Sequence, residues 1–263
     1  MIDFNSIRSN IFNALNIHKS FDPTTIFAGF EERYLYLLKY KGLEFLLFKF
    51  SQEKLLTNLN DIITEFNLAY EILRKEPKLE IEYEPMVQRN NKRPDFKIVS
   101  GNLLLYIQVK HMRKSVDFEN QKKETADSNI WYLVDDEAQI RKALNTACKF
   151  QPPEEEALYL IAQEISFKAN TGDITHSQAV YGKEQFDLTS GRYIKRDTSG
   201  FFYTQNGQRL SAYITLRRPN NLRIFDNYEK ALFINPHLNE QKEKLTALLD
   251  FCVVYDEKSL PNN

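Results

Sequence analysis

Apolar positions recur every three to four residues near the start of the chain and every second residue in its middle, and this change of period divides the sequence. Ile7, Ile11, Phe12 and Leu15 share one helical face, and Asp22-Pro23-Thr24 reads as a helix start. Phe27 to Phe50 is strongly apolar and aromatic, broken only at Gly42. A buried helical hairpin is the preferred reading there and a β-hairpin the alternative, and the pattern leaves both open. Over Asp61–Lys75, Ile62, Phe66, Ala69, Ile72 and Leu73 fall on one face and Pro77 ends the run, which predicts a helix.

From there the period is two. LEIEYEP (79–85) alternates apolar with acidic residues and reads as a strand ending at Pro85. The basic, turn-rich QRNNKR leads into PDFKIV (94–99), a second strand. Ser100-Gly101-Asn102 is a hairpin turn, and LLLYIQVK (103–110) is the third and most hydrophobic strand. Asp135 to Phe150 predicts a helix with acids in its first turn and Lys142 and Lys149 later, a polarity that suits the helix dipole. Pro152-Pro153 ends it, and ALYLIAQEI (157–165) follows as a buried strand, reached by a helical crossover and so paired in parallel with an earlier strand. The last hundred residues read as strand and loop. Asn206-Gly207 is a hairpin signal, SAYITLRR and KALFINP are further strands, and a helix lies near 239–250. The predicted organisation is an α/β protein: a helical N-terminal segment (1–60), an α-β-β-β-α-β core (61–165) and a β-rich C-terminal extension (166–263).

With 42% hydrophobic and 13% aromatic residues the chain can build a sizeable core, and eight glycines and nine prolines exclude collagen-like and broadly disordered classes. No apolar run approaches the ~20 residues of a membrane helix. The start, MIDFNSIRSNIFNAL, lacks the charged and apolar regions of a secretory signal. Cys148 and Cys252 cannot form a disulfide framework and are expected as reduced thiols, so the expected location is the cytoplasm.

Net charge is -1, which as a total says nothing about a nucleic-acid partner. Its distribution does. Pro85–Lys123 carries nine Lys/Arg against three acids, and Ser190–Ile224 carries seven against Asp197 alone. Arg93, His111, Arg113 and Lys114 in the first block, and Arg192, Lys195, Arg196, Arg217 and Arg218 in the second, are candidate phosphate contacts. The second block interleaves Tyr193, Phe201, Phe202, Tyr203 and Tyr213, a combination used for base stacking. The alternative for both is a polar loop with ordinary strand aromatics, and for His111 a surface histidine at a strand end.

The sharpest chemical feature is Pro94-Asp95 followed, after the hairpin, by Gln108-Val109-Lys110. On the third strand Leu103, Leu105, Ile107 and Val109 face one way, and Leu104, Tyr106, Gln108 and Lys110 the other. The turn folds this strand back beside Asp95, so a carboxylate, an amide oxygen and an ammonium can converge at one end of the hairpin. An unpaired ammonium on an otherwise apolar strand would be costly. The ordinary readings are an edge-strand charge for Lys110 and a solvated helix acid for Glu65.

In these residues and in element order, residues 61–165 resemble the PD-(D/E)XK nuclease superfamily, the restriction-endonuclease-like fold. The resemblance implies a metal-binding role for Asp95 and a water-orienting role for Lys110. Gln108 stands where the second acid usually does, a Q-x-K departure. Its side-chain oxygen and the Val109 carbonyl can still ligate Mg²⁺, with Mn²⁺ as a substitute. The family also places a glutamate on the first helix. Glu65 lies beside Ile62, Ala69 and Ile72 at ~100° per residue, whereas Glu71 projects from nearly the opposite side, so Glu65 is the candidate. The implied activity is hydrolysis of phosphodiesters in DNA, ahead of RNA, leaving 5′-phosphate and 3′-hydroxyl ends, in a setting of defence or restriction. The extension is a candidate contact for substrate or for a second subunit of a homodimer or larger complex. Two competing classes stand beside this reading. One is an inactive nuclease fold that binds nucleic acid or a protein, motivated by Gln108. The other is a protein-interaction domain, motivated by the aromatic stretch 27–50. The four histidines have no ligand spacing, and neither a G-x-S-x-G elbow nor a Walker-type loop is present.

Overall fold

A computed structural model describes residues 3–14, 22–50, 59–86, 93–111, 136–148, 152, 154, 156–165, 172–186, 189–190, 193–217, 224–225, 228–238 and 241–257. The N-terminal segment is helical. Helices α1 (Phe4–Ala14), α2 (Pro23–Ile26), α3 (Phe30–Leu37) and α4 (Glu44–Lys49) precede the long α5 (Leu59–Lys75). Asp22 caps α2 by accepting the Thr24 N–H at 3.0 Å. The stretch 27–50 is therefore the helical alternative. Gly42, at φ 90°, turns the chain between α3 and α4, and a Cβ there would lie 2.4 Å from the Ile81 carbonyl oxygen.

Strands β1 (Glu80–Tyr83), β2 (Phe96–Ser100) and β3 (Leu103–His111) form an antiparallel meander. The loop between β2 and β3 is the two residues Gly101 and Asn102, with Ser100 opposite Leu103. Helix α6 (Asp136–Ala147) leads to β4 (Leu158–Ile165), which pairs in parallel with β3, and all eight residues of β4 are buried. This is the mark of a strand covered on both faces. Among the described residues of this region the elements run α-β-β-β-α-β, the predicted order.

Beyond 165 the chain departs from a strand-and-loop reading. Helix α7 (Asp173–Tyr181) comes first, then a small separate hairpin of β5 (Glu184–Phe186) and β6 (Tyr193–Arg196). Strands β7 (Ala212–Arg217), β8 (Glu229–Ile234) and β9 (Val253–Tyr255) extend the main sheet, which reads β1-β2-β3-β4-β7-β8-β9. Helix α8 (Lys242–Leu248) falls where a helix was expected. Asn206-Gly207 does not make a hairpin. Asn206 sits at φ -73°, outside the left-handed region that such a turn needs, and the segment folds as two short 3₁₀ turns, Phe201–Tyr203 and Gly207–Arg209. Gly207 is required there by proximity, because a Cβ would lie 1.7 Å from the Phe201 carbonyl oxygen.

The sheet separates two cores. Leu105, Ile107, Leu160, Ile214 and Leu232 meet α5, the N-terminal helices and α8 on one face; Tyr106, Tyr159, Ile161, Tyr213 and Phe233 meet α6, α7 and the 3₁₀ turns on the other. No helix among the described residues is long and apolar enough to cross a membrane.

The first core is held by rings. Phe66 of α5 lies 5.8 Å from Phe30, 5.0 Å from Phe50 and 5.8 Å from Phe225, centroid to centroid. Phe66→Ala is expected to cost about 3–5 kcal/mol of stability in urea denaturation. A loss below ~1 kcal/mol would mean that the N-terminal helices do not share a core with α5.

Candidate active site

The site begins with a difference in strand length. β2 starts at Phe96, opposite Ile107, whereas β3 continues to His111. Past the end of β2, Asp95 takes the place of the ladder. Its N–H donates to the Ile107 carbonyl at 2.9 Å, and its carboxylate Oδ2 accepts the Val109 N–H at 2.5 Å. The carbonyl and N–H of one strand residue point to the same edge, so the Val109 carbonyl is directed past Asp95 as well.

Glu65 reaches the same place from α5. It is buried at 6% exposure, and its Oε2 accepts the Tyr83 hydroxyl proton at 2.5 Å. Burial raises its pKa above the ordinary carboxylate value, and the nearby charge of Asp95 raises it further; Tyr83 and Lys49 act in the opposite direction. Asp95 is also raised, first by burial, with the Val109 N–H and Lys110 lowering it and Glu84 raising it. Two acids that each resist ionisation thus lie together, with Lys110 close enough to favour the charged form of Asp95. Glu71, by contrast, serves Arg33 and Lys230 at 3.9 and 3.3 Å.

Gln108 faces the second core. Its Oε1 is 3.4 Å from the Tyr159 hydroxyl, which also donates to the Ala147 carbonyl at 2.9 Å. Asp95 contributes to raising the Tyr159 pKa, after burial and Cys148, so Gln108 and Tyr159 adjoin the acid pair from the opposite face of the sheet.

The donor set suits a hard cation. Among the described residues no three His, Cys, Asp or Glu side chains gather as ligands. Mg²⁺ is ordinarily held by one or two carboxylates with carbonyl oxygens and water. Asp95 and Glu65, with the Val109 carbonyl directed past Asp95, fit that pattern, while the Gln108 Oε1 stands against the Tyr159 hydroxyl.

Three side chains of this site carry no sequence signal: Lys49, Tyr83 and Glu84. Lys49 Nζ donates to the Tyr83 hydroxyl oxygen and to Glu84 Oε1, the latter at 2.6 Å.

The basic candidates divide. Arg93 and Lys195 are exposed. Arg196 is not open to a phosphate: its side chain is 4% exposed, ion-paired with Glu184 and bonded to Ser177 Oγ at 2.8 Å. Arg217 pairs with Asp173 and Glu229 at 3.2 and 3.6 Å. His111 ends β3, and its side chain lies outside the described residues, as do Arg113, Lys114, Arg192 and Arg218. Phe201, Phe202 and Tyr213 are core residues of the second face and cannot stack on bases. His176 is fully buried with Nδ1 2.9 Å from the Tyr213 hydroxyl, and burial pushes its pKa down to about 3. Cys148 is buried and its thiol is pushed up to about 12, which makes it a poor nucleophile.

The chain matches no family model, no curated protein and no solved structure.

The raised pKa of Glu65 has a consequence for stability. As pH rises above the ordinary value of 4.5, the unfolded chain releases this proton before the folded protein does, so stability falls into the neutral range. In metal-free buffer, Glu65→Gln is expected to be more stable than wild type at neutral pH by about 1–3 kcal/mol. The gap should close below pH 4.5. Thermal melts across this range check it, and parallel curves for the two proteins would exclude a buried, proton-retaining Glu65.

Proposed function

We propose that this protein is a divalent-metal-dependent nuclease that hydrolyses phosphodiesters of DNA ahead of RNA, a Q-x-K form of the PD-(D/E)XK arrangement. The observation that carries the reading is the meeting of two acids from separate elements, Glu65 of α5 and Asp95 before β2, beside Lys110 at the free end of β3. Burying two carboxylates together is unfavourable unless a positive charge compensates them. A surface that only needed solubility has no use for it.

Mg²⁺, or Mn²⁺ in its place, would lower the pKa of a bound water and neutralise the scissile phosphate. The chain's own residues supply the rest. Asp95 is held by the Val109 N–H, which fixes one oxygen against the strand and leaves the other for a ligand. Tyr83 does the same for Glu65. The Lys110 ammonium, on the strand that carries Val109, orients the attacking water and stabilises the negative charge that develops on the phosphoryl oxygens. Gln108 offers a neutral oxygen where an acid would add charge.

A second reading, an inactive nuclease fold that binds nucleic acid, is favoured by the contact of Gln108 with Tyr159, which draws the amide toward the second core. Plasmid and linear DNA incubated with Mg²⁺ or Mn²⁺ separate the two. Cleavage by wild type should fall by about 10²-fold or more in both Asp95→Asn and Lys110→Ala. Absence of cleavage in all three proteins, with salt-sensitive DNA binding retained, would establish the binding reading instead.

A further inference from the structure

Lys49 is the last residue of α4 and comes from the N-terminal helical segment, yet its side chain ends at the acid pair. Its ammonium donates to the Tyr83 hydroxyl oxygen and to Glu84 Oε1, and lies 4.5 Å from the Tyr83 ring centroid and 5.1 Å from that of Phe45. Tyr83 in turn donates its hydroxyl hydrogen bond to Glu65 Oε2 at 2.5 Å, so ammonium, phenol and carboxyl form one hydrogen-bonded chain. The charge of Lys49 acts on both Glu65 and Asp95, lowering the pKa of each.

Glu84 is built to hold Lys49 there. It is the single non-glycine residue with positive φ among the described residues, at 48°, a conformation that side-chain-bearing residues adopt at a cost. Its N–H donates to the Asp95 carbonyl at 2.8 Å, so the same residue ties β1 to the start of β2 and turns its carboxylate onto Lys49. The Lys49 side chain is 19% exposed, and a solvated surface lysine would need none of these partners.

We propose that Lys49 is a positioning residue of this site that sets its affinity for a divalent cation, its ammonium serving as the resident positive charge that an incoming ion must outcompete. The inference rests on the metal-dependent reading above and names how that site is regulated. In the ion-free protein Lys49 offsets the two acids through Tyr83 and across space. When an ion sits at Glu65 and Asp95, the same ammonium repels it, and Glu84 limits that repulsion by neutralising Lys49.

The signs of the charge effects make the test. Mn²⁺ binding to EDTA-treated protein, followed by electron paramagnetic resonance at low ionic strength, is compared for wild type, Lys49→Met, Lys49→Arg and Glu84→Gln. Lys49→Met should bind Mn²⁺ about tenfold more tightly, Lys49→Arg within about twofold of wild type, and Glu84→Gln several-fold more weakly. A purely structural Lys49 would give weaker binding on removal. Weaker or unchanged Mn²⁺ affinity in Lys49→Met, with wild type binding the ion, therefore overturns the assignment of Lys49 and leaves the nuclease reading intact. No Mn²⁺ binding by any of the folded proteins overturns the metal-dependent reading and this inference with it. Lys49→Gln, which loses the charge but keeps a polar end for Tyr83 and Glu84, carries the same expectation if Lys49→Met does not fold.

Discussion

The site depends on the register of one hairpin. The two-residue loop at Gly101-Asn102 sets Ser100 opposite Leu103 and Phe96 opposite Ile107, and every pairing follows from it. A slip of one residue would turn Leu105, Ile107 and Val109 out of the first core and bring Leu104, Tyr106 and Gln108 into it. Both faces are covered by helices, so neither arrangement of the slipped strand could be solvated cheaply. The same register ends β2 at Phe96 while β3 runs on to His111, and that overhang exposes the Val109 N–H to which Asp95 binds. Among the described residues, only at that overhang does β3 keep backbone groups along its β2 edge that no neighbouring strand takes up, and the candidate site lies there.

The second constraint is the burial of Glu65. An acid at 6% exposure is unfavourable for a helix, and α5 tolerates it because the rest of the helix is anchored on three sides. Phe66 lies in the ring cluster with Phe30, Phe50 and Phe225. Thr64 donates to Glu164 Oε2 at 2.8 Å, and Asn67 accepts from Arg33 at 2.8 Å. The N-terminal helices thus do two jobs. They pin the helix that carries Glu65, and through Lys49 they deliver a counter-charge to it.

How far this arrangement can be seen in the sequence follows from how local each part is. The two-residue period of 103–110, the turn at Gly101-Asn102 and the helical phase that separates Glu65 from Glu71 are all set within a few residues, and each is legible. Lys49 and Tyr83 are 34 residues apart and meet only after α4 packs beside β1, so no spacing announces them. Helix α7 escaped because its buried residues include His176 and Ser177 with Ala179, Val180 and Tyr181, a set too polar to read as an apolar stripe. The Asn-Gly pair at 206–207 misled for a different reason. The glycine is there for close approach to Phe201, and a dipeptide cannot distinguish that need from a need for positive φ. The aromatics at 201, 202 and 213 misled likewise, since ring content is the same in a core and on a binding face.

Charge balance gives Gln108 a physical role whatever the fate of the metal. Around Asp95 the structure gathers two further acids, Glu65 and Glu84, against two cations, Lys49 and Lys110, so that with every group ionised one negative charge would be in excess. Ionisation of Asp95 and Glu65 is already opposed by burial. An acid at 108, opposite Asp95 in the extended register, would add a second excess charge in the same low-dielectric region and push both groups further toward their protonated forms. Each proton so retained must leave before its carboxylate can ligate an ion, which offsets part of the attraction that the added acid would bring. Glutamine keeps an oxygen donor at that position without this penalty, and its contact with the Tyr159 hydroxyl is one that a neutral amide can keep with no charge to compensate. The glutamine and the lysine of α4 are then two solutions to one problem: holding two acids in a buried place with fewer negative charges and more positive ones around them.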